Sequence, residues 1–339
     1  MALPRKMRAA YIERVGSPDE IRYGEFDLPT AAPGQVLVRV EALAVNPVDT
    51  YIRSGAFHTA LSFPFIIGRD LVGAVVRVGA GVSRFTPGQR VWCDSLGYGG
   101  RQGSFAEYVA VAQERLYPLP AHVDAVQAVA VFHPAATAFL GLVEYIGGTH
   151  PGETILVGGG AGNVGSAVTQ LAAAMGARVL GTAHGADDAA WLRACGASEV
   201  FDYEDPHLED AVRAAAPDGV NIVWNTSGRD NLEMEVGLLA RGGCLVLTAG
   251  MNQRPAFPVG AFYTRGARVV GFTITAATTR QLAAAAEAIN ALLAAGRLTM
   301  RIAHTYTLAE AAEAHRLVEG SGTAGKAKGR VIVVPEGKS

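Results

Sequence analysis

Apolar residues follow two different patterns along the chain. Up to about residue 120 they form short runs that Gly and Pro interrupt, and strict alternation is visible from Val36 to Val40 (VLVRV). Short alternating runs between turn residues are typical of strands in a β-sandwich or barrel. The pattern therefore predicts an all-β unit with strands at residues 9–15, 35–45, 71–80, 90–93 and 105–111.

From about Asp124, runs of strand length alternate with segments of helix length. This order is typical of βα units that build a doubly wound parallel sheet. Runs such as ILV and CLVL are apolar throughout, as expected for strands buried on both faces. We predict helices at residues 124–147, 164–175, 187–195, 208–215, 231–240 and 279–295, and strands at 154–159, 178–182, 199–202, 220–225, 243–249 and 268–273.

The C-terminal segment returns to the first pattern, with strands predicted at residues 304–308 and 330–335 around a helix at 308–320. We expect this segment to dock on the N-terminal β-unit. The predicted fold class is α/β with two domains. Residues 1–124, completed by 297–339, form the β-domain, and residues 125–296 form the doubly wound domain.

Composition and charge narrow the class of protein. Of 339 residues, 50% are hydrophobic and 18% charged, which excludes disorder and allows two cores. The net charge of −2 and the scattered basic residues indicate no nucleic-acid or anionic-membrane partner. The sequence shows no apolar run of ~18 residues, as a membrane span would need, and no secretory signal. Its three cysteines are far apart and do not have the spacing of a metal site. A cytoplasmic protein with reduced thiols is expected.

A glycine-rich turn, VGGGAGNVGSA, lies between a predicted strand and a predicted helix. Gly160, Gly162 and Gly165 give the spacing G-x-G-x-x-G, with Asn163 and Val164 inside it. In a dinucleotide-binding turn the first glycine allows the tight turn, the second lets a pyrophosphate approach, and the third lets the helix pack on the strand. Free N–H groups at the start of the helix then bind the pyrophosphate. With several βα units around it, the motif predicts a nicotinamide dinucleotide site.

The end of the next predicted strand bears on which dinucleotide binds. NAD-binding proteins place an Asp or Glu there to bind the ribose 2′-OH. Here the strand ends in Thr182, Ala183 and His184, and Asp187 and Asp188 come later, where they are expected to cap a helix. Because no carboxylate at the strand end repels a 2′-phosphate, the sequence favours NADPH over NADH. No Arg or Lys stands at this position to strengthen that prediction.

The stretch NPVDTYIRSGAF, residues 46–57, follows a predicted strand and mixes Pro, Gly and polar residues. Alone, it is typical of a solvated loop. In its context it strongly resembles the corresponding stretch of the zinc-independent quinone oxidoreductases, the zeta-crystallin branch of the medium-chain dehydrogenase/reductase superfamily. Residues 63–91, the glycine turn, GTAH at 181–184, NTSGRD at 225–230 and GSGTAGK at 320–326 share this resemblance, which covers nearly the whole chain. It implies a GroES-like β-barrel catalytic domain beside a Rossmann domain.

Departures from the zinc alcohol dehydrogenases bear on metal binding. Asn46 stands where those enzymes have their first zinc-binding Cys, and Gly68-Arg69-Asp70 stands where they have Gly-His-Glu. Their lobe of four cysteines is missing, since the region after Arg90 holds Cys93 alone. Because a catalytic zinc takes three protein ligands and a structural zinc four, we predict no functional zinc.

The resemblance also implies the site residues. Asn46 and Tyr51 would contact cofactor or substrate as the catalytic pair, while Asp49 and Arg53 are expected to pair and hold the loop. His133 would either face the nicotinamide or pack in the core. The family's usual lysine after GT is replaced at about Asp188, which moves the expected 2′-phosphate contact onto His184, Tyr203 or Lys326. The remaining residues expected to line the cofactor groove are Thr137, Thr182, Asn225, Gly250 and Phe272.

The expected activity is hydride transfer from NADPH directly to a quinone or similar electrophilic carbonyl. An enone, alkenal or enoyl-thioester reductase is the alternative within the superfamily. A dinucleotide-binding structural or RNA-binding protein like the zeta-crystallins is the non-enzymatic alternative, against which the balanced charge argues. The strand predicted at 268–273 should lie at an exposed sheet edge, so we predict a homodimer, with a tetramer as the alternative.

Overall fold

The computed structural model describes residues 3–320 and 327–336. The chain forms two compact units, one made of Met1–His133 and Leu282–Ser339, the other of Pro134–Gln281. The units divide within two helices, α2 (Ala125–Phe139) and α8 (Thr279–Ala294). The predicted domain boundaries lie at the start of α2 and just beyond the end of α8. The C-terminal segment belongs to the unit of the N-terminal strands, as expected.

The first unit contains two sheets. A three-stranded sheet has the order β2-β1-β4, and a seven-stranded sheet has the order β15-β16-β3-β5-β6-β8, with β7 pairing β3. The strands are β1 (Lys6–Ile12), β2 (Arg22–Asp27), β3 (Gln35–Val45), β4 (Phe65–Ile66), β5 (Asp70–Val78), β6 (Arg90–Cys93), β7 (Tyr108–Ala112), β8 (Tyr117–Pro118), β15 (Ile302–Thr307) and β16 (Arg330–Val334).

Strand β3 organises the larger sheet because it pairs with β5, β7 and β16. It is antiparallel to all three, so its C-terminal end lies beside the first residues of β5 and β16. Ala44 is opposite Asp70, and Val45 is opposite Val331. The core of this unit contains an apolar cluster of buried residues, to which the helices α1 (Pro47–Ser54) and α9 (Ala311–Glu319) each contribute side chains.

The second unit is a six-stranded sheet with the order β11-β10-β9-β12-β13-β14, parallel throughout. This is the doubly wound order, and it confirms the predicted Rossmann fold. The strands are β9 (Thr154–Gly158), β10 (Arg178–Ala183), β11 (Glu199–Asp202), β12 (Val220–Asn225), β13 (Leu239–Leu247) and β14 (Arg268–Gly271). The helices wholly within this unit are α3 (Asn163–Ala174), α4 (Ala186–Ala194), α5 (Leu208–Ala215), α6 (Leu232–Leu238) and α7 (Val259–Thr264).

The two central strands of this sheet determine where a ligand would bind. Strand β9 pairs with β10 on one side and β12 on the other, with Gly158 opposite Asn225. In open α/β sheets ligands bind beyond the carboxyl ends of the strands, where the strand order reverses. That point lies between β9 and β12.

Helix α2 continues through a π-helical segment, Leu140–Tyr145. The combined helix Ala125–Tyr145 is long and apolar enough to cross a membrane, although the sequence predicted no apolar run of that length. Of its most apolar window, 83% is buried inside the protein, as is usual for a core helix.

Candidate active site

Residues 47–54 are a helix, so the prediction of a loop after β3 was wrong. Helix α1 begins with Asn46 as N-cap and Pro47 in its first turn, and it ends at Gly55, whose φ of 83° is left-handed. Asn, Pro and an acid at these positions are together a helix-start signal, and Gly is the usual residue after the last turn. The sequence carried both signals, but they were interpreted as turn residues.

Asn46 is fully buried, and its side-chain amide is hydrogen-bonded on both ends. Nδ2 donates to Oδ2 of Asp70 at 2.9 Å and to Oδ2 of Asp49 at 3.3 Å, while Oδ1 accepts from Nη2 of Arg330 at 2.9 Å. Both N–H groups are thus used within the first unit. The amide holds the start of α1 against the strands, and its expected contact with cofactor or substrate stays a prediction.

Asp49 and Arg53 do not pair with each other, contrary to the expectation for this stretch. The Asp49 carboxylate accepts from the backbone N–H of Asn46 at 2.8 Å, which closes the first turn of α1. Arg53 donates instead to the carbonyl of Gly16 and to the Glu319 carboxylate at the end of α9. Arg53 is 1% exposed, so this pair ties α1 to α9 inside the protein.

Three buried charged residues contact Asn46, and two more are linked to them electrostatically: Asp49, Asp70 and Arg330, with Arg69 and Asp94. We call them the buried charge cluster. It collects at the edge where β3 and β6 end and β5 and β16 begin. Nε of Arg69 donates to the carbonyl of Asp94 at 3.4 Å, and Nη2 of Arg330 reaches Oδ2 of Asp70 at 3.5 Å. The cluster unites residues far apart in sequence, and we did not predict it.

Burial dominates the ionisation of the cluster. It raises the pKa of Asp49 and of Asp94 to about 6, against the opposing charge of Arg69. Burial also raises the pKa of Asp70 well above its ordinary value, although Arg330 partly offsets the effect. A desolvated carboxyl favours its neutral form, and nearby cations favour the charged form.

His133 lies beside this cluster, with Nδ1 3.9 Å from Oδ1 of Asp70. Burial, with added repulsion from Arg69 and Arg330, lowers the pKa of His133 well below its ordinary value. The imidazole is therefore neutral near pH 7. The residue is 8% exposed, so it is buried with a small part of its surface accessible.

Tyr51 differs from its neighbours because its side chain is exposed. It lies on α1 and is 42% exposed, while Ile52 and Arg53 beside it are buried. Its backbone carbonyl accepts from the N–H of Phe57 at 3.0 Å, and Phe57 lies near Tyr98 with ring centroids 6.0 Å apart. Tyr51 is thus an exposed side chain of α1 that carries a hydroxyl group.

The glycine-rich turn connects β9 to α3 in the second unit. The left-handed residue is Gly159, with φ of 64°, and not Gly160. A Cβ on Gly160 would lie 2.6 Å from Cδ2 of Leu192, so close packing on α4 explains this glycine. A Cβ on Gly165 would lie 2.4 Å from the carbonyl oxygen of Gly159, which confirms the predicted close approach of helix and strand.

Gly162 is the N-cap of α3 and would have room for a Cβ on most sides, since the nearest atom is the Gly159 oxygen at 3.2 Å. Asn163 and Val164 follow it as the first helical residues and are half-buried. The first N–H groups of a helix have no acceptor within the helix. The turn therefore presents N–H donors beyond the carboxyl end of β9, as a dinucleotide pyrophosphate requires.

The ends of β10 and β11 form the predicted ribose position. Oγ1 of Thr182 accepts from the N–H of Gly159 at 3.0 Å, so this threonine fixes the glycine turn. Nδ1 of His184 lies 3.0 Å from Oδ1 of Asp202 and 3.7 Å from Oε2 of Glu204, and its ring is 5.5 Å from that of Tyr203. We did not predict a role for Asp202, although VFD at the end of a strand carried the signal. Asp202 places a carboxylate beside the end of β10, which carries no acidic residue itself.

Asn225 is the last residue of β12, opposite Gly158, and its side-chain amide forms hydrogen bonds within the second unit. Nδ2 donates to Oε1 of the buried Glu235 at 2.7 Å, and Oδ1 accepts from the N–H and hydroxyl of Ser227. These bonds shape the NTSGRD turn, so Asn225 organises the backbone beside the sheet switch point. Its contact with cofactor stays a prediction.

The remaining predicted groove residues are placed as follows. Thr137 is buried in α2, and Gly250 takes a φ of 77° beside Gly228 after β13. Phe272 follows β14 and stacks on Tyr145, with centroids 4.5 Å apart. Lys326 lies outside the described residues. The second unit thus gathers Thr182, His184, Tyr203 and Asn225 with the glycine turn at one edge of its sheet.

Comparison with known proteins identifies the family. Residues 32–121 match the alcohol dehydrogenase GroES-like domain, and residues 163–291 match the zinc-binding dehydrogenase family. Mouse quinone oxidoreductase is 31% identical over 325 residues, which are 94% of this chain and 96% of the mouse protein. The chain belongs to the quinone oxidoreductase branch of the medium-chain dehydrogenase/reductase superfamily. It is therefore an oxidoreductase.

Solved structures agree with this assignment. An alcohol dehydrogenase superfamily protein from Novosphingobium aromaticivorans has a TM-score of 0.87 and 31% identity, over 97% of this chain and 99% of that chain. The Escherichia coli quinone oxidoreductase complexed with NADPH has a TM-score of 0.82 and 25% identity, over 97% of this chain and 100% of that chain. The GroES-like and Rossmann folds of this branch account for the two units described above.

A dinucleotide fits the second unit, whereas a zinc ion does not fit the positions that bind zinc in other branches of the superfamily. At those positions the Asn46 amide is hydrogen-bonded to three partners, and Arg69 carries a guanidinium, which is a cation and not a metal ligand. Across residues 3–320 and 327–336, no group of three or more His, Cys, Asp or Glu side chains is arranged to hold a metal.

Proposed function

We propose that this protein is an NADPH-dependent quinone oxidoreductase that passes hydride directly to a quinone or a similar electrophilic carbonyl, without zinc. The observation that carries the proposal is the environment of Asn46 and Arg69. A superfamily member that oxidises alcohols uses zinc to polarise the oxygen. With an amide and a guanidinium at these positions, the protein needs an acceptor that is electrophilic by itself, and a quinone meets that requirement.

Bound at the edge of the Rossmann sheet, the nicotinamide supplies the hydride. The protein binds and orients it. The glycine turn and the first N–H groups of α3 would hold the pyrophosphate, and Thr182 keeps that turn in place through its bond to Gly159. Tyr51 is the residue we assign to the acceptor, as a hydrogen-bond donor to the oxygen on which charge develops.

NADPH is proposed over NADH on two grounds. Ala183 ends β10 where NAD-binding proteins carry an acid, and the similar Escherichia coli enzyme was solved with NADPH. His184 is the group proposed to face the 2′-phosphate. Because Asp202 and Glu204 lie beside His184, we expect a preference of only several-fold.

The test is a steady-state screen of acceptors with NADPH. We expect consumption of NADPH with 9,10-phenanthrenequinone and simple benzoquinones, and much lower kcat/KM with enones and enoyl-thioesters. Activity should be unchanged after treatment with chelator, and elemental analysis should find far less than one zinc per chain. Preference for an enone or enoyl-thioester would replace this function with the related reductase activity, and loss of activity together with a stoichiometric zinc would refute it.

The assembly and location belong to the same proposal. Strand β14 ends the six-stranded sheet, and Val269 on it is 46% exposed. Val259 and Tyr263 on α7 are 62% and 69% exposed. An apolar sheet edge of this kind favours pairing with a second copy, so we propose a homodimer. The balanced charge supports a cytoplasmic enzyme with no nucleic-acid or membrane partner.

A further inference from the structure

Cations are unevenly distributed over the carboxyl groups of the buried charge cluster. Three carboxyl groups, of Asp49, Asp70 and Asp94, face two guanidinium groups, of Arg69 and Arg330, and each of the five residues is at most 3% exposed. The half-buried Arg115 is a third cation, but it lies beside Asp94, where its Nη1 donates to Oγ of Ser95 at 3.3 Å. Asp70 has Arg330 at 3.5 Å and is repelled by the other two carboxyl groups. A poorly compensated buried carboxylate costs several kcal/mol, so the cluster takes up a proton instead.

Geometry indicates which carboxyl carries that proton. Asp49 is ionised because Oδ2 accepts from two N–H groups of Asn46 at the start of a helix. Asp94 lies beside Arg69, whose Nε donates to the Asp94 carbonyl. Oδ1 of Asp94 and Oδ1 of Asp70 are both buried without a hydrogen-bond partner among the described residues. Asp94, however, has the cations Arg69 and Arg115 nearby, whereas Asp70 has Arg330 at 3.5 Å and is repelled by Asp49 and Asp94. The proton therefore belongs on Oδ1 of Asp70.

Nδ1 of His133 lies 3.9 Å from that oxygen. The approach is longer than a hydrogen bond and would close with a shift of about 1 Å, as catalytic hydrogen bonds often do on ligand binding. A neutral imidazole that accepts at Nδ1 carries its own proton on Nε2. In this pair Oδ1 of Asp70 is the acid and Nδ1 of His133 is the acceptor. The second proton lies on Nε2, on the opposite side of the imidazole ring.

We propose that Asp70 and His133 form a proton-supplying pair for the reduction of the acceptor. This inference rests on the proposed quinone reductase function, in which the acceptor gains a hydride and one proton. After the hydride has arrived, His133 releases its Nε2 proton to the hydroquinone oxygen. Oδ1 of Asp70 releases its proton to Nδ1 of His133, and the Asp70 carboxylate is left. Before the next turnover solvent returns one proton to Nε2 of His133, and the Nδ1 proton goes back to Asp70, so the resting pair is restored and atoms and charge balance.

Two measurements test the pair. Infrared spectroscopy of the resting protein at about pH 8, above the pKa of about 6 of Asp49 and Asp94, should show the carbonyl band of a protonated carboxyl. Asp70→Asn should lose that band, and Tyr51→Phe should keep it. In a single turnover followed with a pH indicator, uptake of the proton from solvent should lag behind oxidation of NADPH. Asp70→Asn and His133→Gln should abolish the lag and lower kcat by about tenfold or more, with KM little changed.

The outcomes separate this inference from the proposed function. The protein could show a protonated carboxyl that disappears in Asp70→Asn and yet reduce no quinone. That result would support the proton on Asp70 and contradict its use in quinone reduction. Quinone reduction without that band, or without a lag in proton uptake, would overturn the pair. A lag lost in Tyr51→Phe but kept in Asp70→Asn would assign the proton to Tyr51. Because Asn has the shape of a protonated Asp, Asp70→Asn should fold, and His133→Gln tests the lag independently.

Discussion

Nη2 of Arg330 lies 2.9 Å from Oδ1 of Asn46, a residue 284 positions earlier in the chain. The first residue of β16 thereby fixes the N-cap of α1, the helix that carries Tyr51. Arg330 also reaches Asp70, and it is 1% exposed. The C-terminal segment is therefore part of the candidate site and not only an added strand of the sheet.

Replacing Arg330 by methionine should destabilise the protein strongly. The substitution removes one of the two cations of the buried charge cluster and leaves its carboxyl groups buried, which typically costs about 3–5 kcal/mol of unfolding free energy. Chemical denaturation monitored by fluorescence measures the change. Arg14→Met is the matched control, because Arg14 also pairs with a carboxylate, Glu20, but its side chain is 75% exposed. A control that loses as much stability as Arg330→Met would contradict the role of burial.

His315 should make stability fall as the pH falls. It is fully buried on α9, and both ring nitrogens are without a hydrogen-bond partner within the described part of the chain. Burial lowers the pKa of His315 to about 3. Because the unfolded chain takes up the proton near pH 6.5, stability is lost as pH falls from about 6.5 towards 3, by about 2 kcal/mol at pH 5.

His315→Leu should lack this loss. The measured quantity is the difference in unfolding free energy between variant and wild type at pH 7 and pH 5, which cancels the opposite contributions of buried carboxyls with raised pKa, such as Asp70. The difference should favour the variant more at the lower pH. His58→Leu at an exposed position is the control and should show no such trend. An equal difference at both pH values for His315→Leu would mean that the buried imidazole is not neutral for the reason given.

The sequence predicted the sheet elements where apolar pattern and turn residues agree. Strands β3, β6, β11 and β12 have the predicted bounds, because each is a continuous run between clear breaks. Strand β2 was missed, since its RYGEFD residues are largely exposed and carry no apolar run. Helix α1 was missed because Asn, Pro and Gly serve helix ends as well as turns.

The buried charge cluster could not be predicted from sequence. Asn46, Asp70 and Arg330 come together only through the pairing of β3 with β5 and β16. Each alone is indistinguishable from a solvated polar residue. The glycine turn was predictable because all of its residues lie in one short segment, although the left-handed position proved to be Gly159.

Cofactor preference should respond to charge at the ends of β10 and β11. Wild type should bind NADPH several-fold more tightly than NADH. Ala183→Asp should reverse the preference, because a carboxylate there repels the 2′-phosphate and accepts from the 2′-OH. Asp202→Asn should increase the preference, because it removes a negative charge from beside His184. Titration of intrinsic fluorescence with both dinucleotides gives the dissociation constants.

Asp218→Asn is the control for cofactor preference. It removes an equal charge at an exposed position just before β12, at the opposite end of the parallel strands. It should leave the ratio of the two dissociation constants unchanged. If the wild-type protein bound NADH as tightly as NADPH or more tightly, the proposed preference for NADPH would be wrong.

The proposed dimer should depend on Val269. A charge at this exposed position on β14 would have to be buried in a paired edge, so Val269→Asp should shift the protein from dimer to monomer. Light scattering at micromolar concentration reports the mass. Val15→Asp places the same charge on a side chain of similar exposure in the first unit, 43% against 46%, and should leave the dimer intact. A wild-type monomer under these conditions would contradict the proposal directly.

Tyr51→Phe should slow the reaction by an amount that depends on the acceptor. The variant keeps the exposed ring on α1 and removes only its hydroxyl. A quinone is easily reduced and needs little help at oxygen, so its kcat/KM should fall less than about tenfold, which is about 1.4 kcal/mol of barrier. A poorer enone acceptor builds more charge on oxygen and should lose about a hundredfold, as for a general acid. An equal, small loss with both acceptors would mean that Tyr51 only lines the site and does not stabilise the developing charge.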